Sequence, residues 1–183
     1  MKRSVQPFIH RLESISEWCG KIVSWCVLIM VLIIGYDVFM RFVFRIGSVA
    51  LQELEWHLFA VLFLLCASYT LKHDGHVRVD IFYNSKRFSD RHRAWVDLLG
   101  TLLFLIPFSI LIIVSSWEFV ADSFAIGEGS PDAGGLPFRF LLKSAIPTGF
   151  ALLIIQGIAI ITKCIDFLFL SPPNQNSEKD QTQ

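Results

Sequence analysis

The chain has 183 residues, 54% of them hydrophobic and 14% aromatic, and its mean hydropathy is +0.56. Only 17% are charged, against about 25% in soluble domains, so a soluble domain of this size would lack the polar surface to cover itself. The 16 basic and 16 acidic residues cancel; the total gives no sign of a nucleic-acid partner, and none is expected.

A helix crosses a hydrocarbon core of about 30 Å with about 20 apolar residues. Backbone groups in lipid must be bonded within their own segment. Four segments meet these conditions or nearly meet them, which predicts an all-α integral membrane protein with four transmembrane helices. Residues 1–21 come first, as a basic amphipathic tail carrying Lys2, Arg3, Arg11 and Lys21. Phe8, Ile9, Leu12, Ile15 and Trp18 recur at three- and four-residue steps among Arg11, Glu13, Ser14 and Glu17. That pattern predicts an interfacial helix lying on a leaflet.

The first span covers about 22–44. Its apolar run is too long for a signal peptide, and Asp37 and Arg41 stand where a cleavage site would follow, so it reads as a retained helix. Asp37 and Arg41 lie four apart and share a helix face. They can satisfy each other near the membrane boundary, or they can contact another helix or subunit.

The second span, about 51–72, opens with Glu53, Glu55 and His57. Glu53 and His57 share a face, and Glu55 points elsewhere. A metal or proton site is one reading. A haem site is another, but it needs a second histidine at matched depth, and no other span interior contains one. The third reading is a cluster that caps the helix and pairs with Arg41, Arg45 or a partner chain. After Leu71 comes a charged collar, in which Gly75 predicts a turn and residues 77–82 alternate in an extended interfacial pattern. Its bases Arg78, Lys86, Arg87, Arg91 and Arg93 are candidates for lipid headgroups. His73, His76 and His92 lack metal-ligand spacing.

Ser89 is a candidate N-cap for the third helix, about 95–120, with Asp97 in its first turn. Its core, Leu98 to Trp117, carries no charge, and Pro107 predicts a kink. Residues 123–140 are rich in Gly and Pro and predict a surface or re-entrant turn, with Glu128 and Asp132 among its acids. The fourth helix, about 141–170, has Gly149 and Gly157 as points of close helix approach. Residues 171–183 have the composition of a disordered tail. The four cysteines form no CxxC and read as small packing residues.

Lys and Arg concentrate in the N-terminal tail and the middle loop, which predicts both termini inside and the other two loops outside. No nucleotide-binding loop, metalloprotease motif or nucleophile elbow is present, and no broken helix pair of the kind that holds substrate at mid-membrane.

Four helices with both ends inside, an acidic start to helix two and the collar motif HVRVD (76–80) resemble the small membrane subunit of tripartite ATP-independent periplasmic (TRAP) transporters, the DctQ type. Glu128-Gly129-Ser130, Gly134-Gly135-Leu136-Pro137, Lys143, Ile146-Pro147 and Gln156-Gly157 look like its mannitol/chloroaromatic-type branch. The likeness covers roughly residues 15–170. It implies a non-enzymatic subunit of the bacterial inner membrane without a cofactor of its own. The partners implied are a large permease subunit, which holds the sodium ions and substrate, and a periplasmic binding protein. An organic acid or similar solute would be imported. On this reading Asp37, Arg41, Glu53, Glu55, His57, Glu128 and Asp132 lie at the outer boundary, as subunit contacts or docking surface. Two other classes compete: a haem or quinone anchor of a redox complex, and a self-sufficient tetraspan channel.

Overall fold

The computed structural model describes residues 2–73 and 90–170. The expectations for Gly75, the 77–82 alternation, Ser89, the collar bases Arg78, Lys86 and Arg87, and the tail 171–183 lie outside the described residues. Helix α1 runs Lys2–Phe39 and α2 Val49–Lys72, with a π-helical turn, Met40–Phe44, at the end of α1. The third span is α3 (Asp90–Gly100), a π-helical turn (Thr101–Leu105) and α4 (Ile106–Ala125) in series. The fourth is α5 (Arg139–Ile165), ending in a third π turn, Asp166–Leu170. All four spans are long and apolar enough to cross a membrane. Among the described residues there is no strand.

The packing is inverted relative to a soluble bundle. Trp18, Trp25, Phe42, Phe63 and Phe104 are exposed, whereas Ser16, Ser68, Ser109, Ser116, Ser123 and Gln156 are buried. Lipid tails are as apolar as leucine, so large side chains gain nothing by turning inward, and small residues line the contacts instead. On α1 the buried Ile9, Ser16, Val23 and Asp37 fall on a seven-residue repeat, with half-buried Met30 in the remaining slot. Ser109, Ser116 and Ser123 repeat the same period on α4. A seven-residue seam keeps facing a neighbour only if the helices cross with a left-handed twist. At Gly149 a Cβ would come within 2.7 Å of the Leu64 carbonyl oxygen, and at Gly157 within 2.9 Å of Leu105. Both glycines therefore mark close approaches, as their sequence positions suggest.

The amphipathic tail and the first span form one continuous helix, and the tail's polar face meets the bundle. Glu17 accepts from Lys72 at 2.6 Å and lies 3.0 Å from His73 and 3.1 Å from Lys21. Lys163 pairs with Glu13, and Ser16 donates to Gln156 at 3.1 Å. Phe8, Ile15 and Trp18 face outward. Acid-to-base ties thus lace α1 to α2 and α5 at the end where the chain begins.

One sequence expectation for the third span changes. Its helix begins at Asp90, so Asp90 and not Asp97 lies in the first turn. The proline is accommodated by the π turn before it: the Ile106 amide donates to Thr101, five residues back, and Pro107 sits in the first turn of α4. A wider turn gives the proline ring the room that an α turn denies it.

Candidate functional site

The end of the bundle opposite the chain start holds a compact polar centre. Helix α2 begins there because Ser48, in an extended conformation, accepts a hydrogen bond from the Leu51 amide at 3.4 Å. One turn on, Glu53 is buried against the loop joining α4 to α5. Its carboxylate accepts from the Ser130 hydroxyl at 2.5 Å, the Leu136 amide at 2.6 Å and the Arg139 guanidinium at 2.9 Å. A buried carboxylate is tolerated when its lone pairs are satisfied in this way. Arg139 also lies over the Trp56 ring, 5.7 Å from its centroid.

The loop is shaped to deliver these donors. Ser130 donates its amide to the Leu136 carbonyl at 3.0 Å, and its hydroxyl accepts from the Asp132 amide at 3.1 Å. Gly134 takes φ +81°, and a Cβ on Gly135 would come within 2.7 Å of the Glu53 carboxylate. Only glycine lets the backbone pass so close to the acid. The Arg139 amide returns to the Glu128 carbonyl at 2.9 Å, and Lys143 pairs with the Glu128 carboxylate. Lys143 holds that carboxyl below the ordinary carboxylate range. Its ammonium also stands 3.8 Å from the Phe119 ring centroid.

The structure brings only part of the sequence-predicted set together. Glu53 and Glu128 share this centre. Glu53 pairs with Arg139, not with Arg41 or Arg45 as expected, because Arg139 opens α5 directly beside the start of α2. Arg41 pairs instead with Asp37, the self-satisfied reading, and Asp37 is 2% exposed with its Oδ1 atom unpartnered among the described residues. His57 Nδ1 lies 2.5 Å from the Glu53 carbonyl of its own helix, and its ring packs 4.0 Å from Trp56. Glu55 is half-buried, its Oε1 atom without a hydrogen-bond partner among the described residues, and Asp132 is exposed. Among the described residues no group of three His, Cys, Asp or Glu side chains is placed to hold a metal.

Near the chain-start end, Arg91 is exposed and Arg93 lies 3.6 Å from Asp90. Arg93 lines a cleft of about 310 Å³ together with Lys72, Lys163, Asp90 and Asp97 among others, and Arg91 lies on the same helix.

Sequence reasoning did not assign Ser130, Leu136 or Arg139 to this centre. The Ser, Gly and Pro of 129–137 signalled a turn, but nothing local says which distant acid a turn will close upon.

A protein-family model described as the DctQ component of tripartite ATP-independent periplasmic transporters matches residues 30–166. No curated protein and no solved structure matches the chain.

Proposed function

Since the chain belongs to the DctQ component family of the tripartite ATP-independent periplasmic transporters, we propose that it scaffolds a large permease subunit and helps to seat a periplasmic binding protein upon it. As a member of that family it is a small permease subunit, not an enzyme, and a multi-pass protein of the bacterial inner membrane. In the proposed arrangement both termini are cytoplasmic and the 126–138 loop is outside. Transport is coupled to sodium, the sodium ions reside in the large subunit, and the solute is an organic acid or a similar small molecule.

The observation that best supports the scaffold role is the Glu53 centre. One buried acid on α2 gathers the loop and the start of α5 into a fixed outer platform. A platform bonded in advance loses little freedom when a partner lands on it. Asp132 and Glu55 offer polar contacts on or near that platform, and the exposed half of Arg41 offers one at the end of α1. At the opposite end Arg91 and Arg93 face anionic headgroups, each contact contributing about 1 kcal/mol near such a surface; the same role is proposed for Arg78, Lys86 and Arg87 on their sequence alone.

The deciding experiment is affinity purification of the chain from its native membrane in mild detergent, followed by reconstitution of what accompanies it. A stoichiometric large polytopic partner is expected, with solute uptake that requires this chain, the binding protein and an inward sodium gradient. Recovery of a lone homo-oligomer, or uptake indifferent to the chain, would sink the proposal.

A further inference from the structure

We propose that the exposed phenylalanine patch where α4 meets the loop and α5 is the apolar core of a docking site for a soluble extracytoplasmic protein whose contact face carries a basic rim. The inference rests on the orientation proposed above.

Phe124 is 67% exposed, Ile126 75% and Phe138 58%. Half-buried Phe140 joins them, packing edge-on against Phe124 at 5.1 Å and against Phe138 at 6.1 Å between ring centroids. The three rings therefore form a continuous cluster and not a scatter of single apolar residues, with Ile126 exposed two residues beyond Phe124. Exposed apolar groups elsewhere on this molecule are explained by lipid, but height argues against that here. The uncharged run of the third span ends at Trp117, and α4 continues unbroken to Ala125 with Glu118 and Asp122 exposed upon it. At 1.5 Å per residue, Phe124 stands about 10 Å beyond that run. That distance exceeds the headgroup layer, about 5–7 Å on each side of the hydrocarbon.

The patch is also held in advance. Phe138 adopts φ +62°, a conformation uncommon for a bulky residue. It persists because its neighbours Leu136 and Arg139 are both bonded to Glu53. Strain maintained at a surface position points to use of that position.

The electrostatics specify the occupant. Arg139 and Lys143, the cations nearest the patch, are engaged by Glu53 and Glu128. On the helix and loop that carry the patch, Glu118, Asp122 and Asp132 are exposed. A partner matched to this surface brings apolar atoms to the phenylalanines and Lys or Arg to the rim. The patch is small beside a span-long contact between membrane subunits, and a small contact suits a protein that docks and leaves.

The test uses the intact permease complex in nanodiscs and, as probe, the purified binding protein of the same transporter, with affinity read by interferometry. Phe124→Ser combined with Ile126→Ser is expected to weaken binding about ten-fold or more, as loss of an interface anchor does, while the large subunit still co-purifies. Asp122→Asn with Asp132→Asn should weaken binding less and flatten its dependence on salt. Unchanged affinity in an assembled complex overturns the proposal. Loss of the large subunit with the Ser pair overturns it too, and reassigns the patch to the membrane partner. A Phe124→Trp variant guards against misfolding: its added emission should shift to the blue when the binding protein is supplied. Quenching of that emission by brominated lipid would place the patch in the leaflet and overturn the proposal. If the unsubstituted complex fails to bind the probe at all, the docking role itself falls, a failure distinct from that of the patch.

Discussion

Replacing Glu53 with Ala removes the acceptor for Ser130, the Leu136 amide and Arg139 together, and leaves a guanidinium without its carboxylate beside Trp56. Such sites cost more when one partner is removed than the contact contributes when intact. We expect the 126–138 loop of the Ala variant to be cut by added protease at least about ten-fold faster, since local opening controls cleavage. Glu53→Gln, which keeps an acceptor for Ser130 or the amide, should fall between the two. Equal cleavage of all three proteins would show that Glu53 does not hold the loop. Glu128 makes a second, titratable tie. Lys143 lowers its pKa below the ordinary value of 4.5, so the tie is fully present above 4.5 and is lost only as pH falls through the lowered value. A carbon NMR titration of labelled Glu128 should have its midpoint below 4.5; a midpoint at or above 4.5 would mean that Lys143 is not its partner.

At the scale of the helices, the contrast between two glycines measures how tightly the elements pack. Gly149 faces the Leu64 carbonyl on α2, where a methyl group has no room. Gly149→Ala should force the two helices apart and lower stability by about 1–3 kcal/mol. Gly35, on α1, has nothing within 4 Å of a built Cβ. Gly35→Ala should be neutral or stabilising by up to about 1 kcal/mol, because alanine has less backbone freedom to lose. Thermal unfolding in detergent distinguishes the pair, and similar melting temperatures for both variants would contradict the close α2–α5 approach. The seven-residue seam on α4 is serine at each buried position, and such small polar residues bring backbones together where lipid offers no hydrophobic drive.

For the whole molecule, Arg41 tests whether the chain's polar surface serves assembly. Its guanidinium neutralises buried Asp37 yet remains half exposed at the end of α1. Arg41→Ala should reduce recovery of the large permease subunit in affinity purification, several-fold if the exposed half contacts that subunit. Unchanged recovery would confine the pair to a role within this chain. Four spans of the right type were legible in the sequence because each is predominantly apolar over about twenty residues, with its few charges toward an end, and lipid favours such a segment as a helix. The families of candidates at Asp37, Arg41 and Glu53 were legible too, since charge at a span's edge is conspicuous.

Hydropathy and charge, summed along neighbouring residues, determined the number of spans, and the order of the motifs carried the family likeness that the match over residues 30–166 bears out. These are local properties, and the bilayer converts them into structure without reference to distant parts of the chain. Partnership was decided only by tertiary structure. Glu53 could have met Arg41 or Arg45, but it meets Arg139, 86 positions away, because the crossing of the spans sets α5 beside the start of α2. The tail's acids, which a leaflet-lying helix would have turned to solvent, instead meet Lys72 and Lys163 because α1 continues straight into the bundle. Which of several possible partners a charged group takes depends on the distances between elements, and those distances arise only when the spans pack.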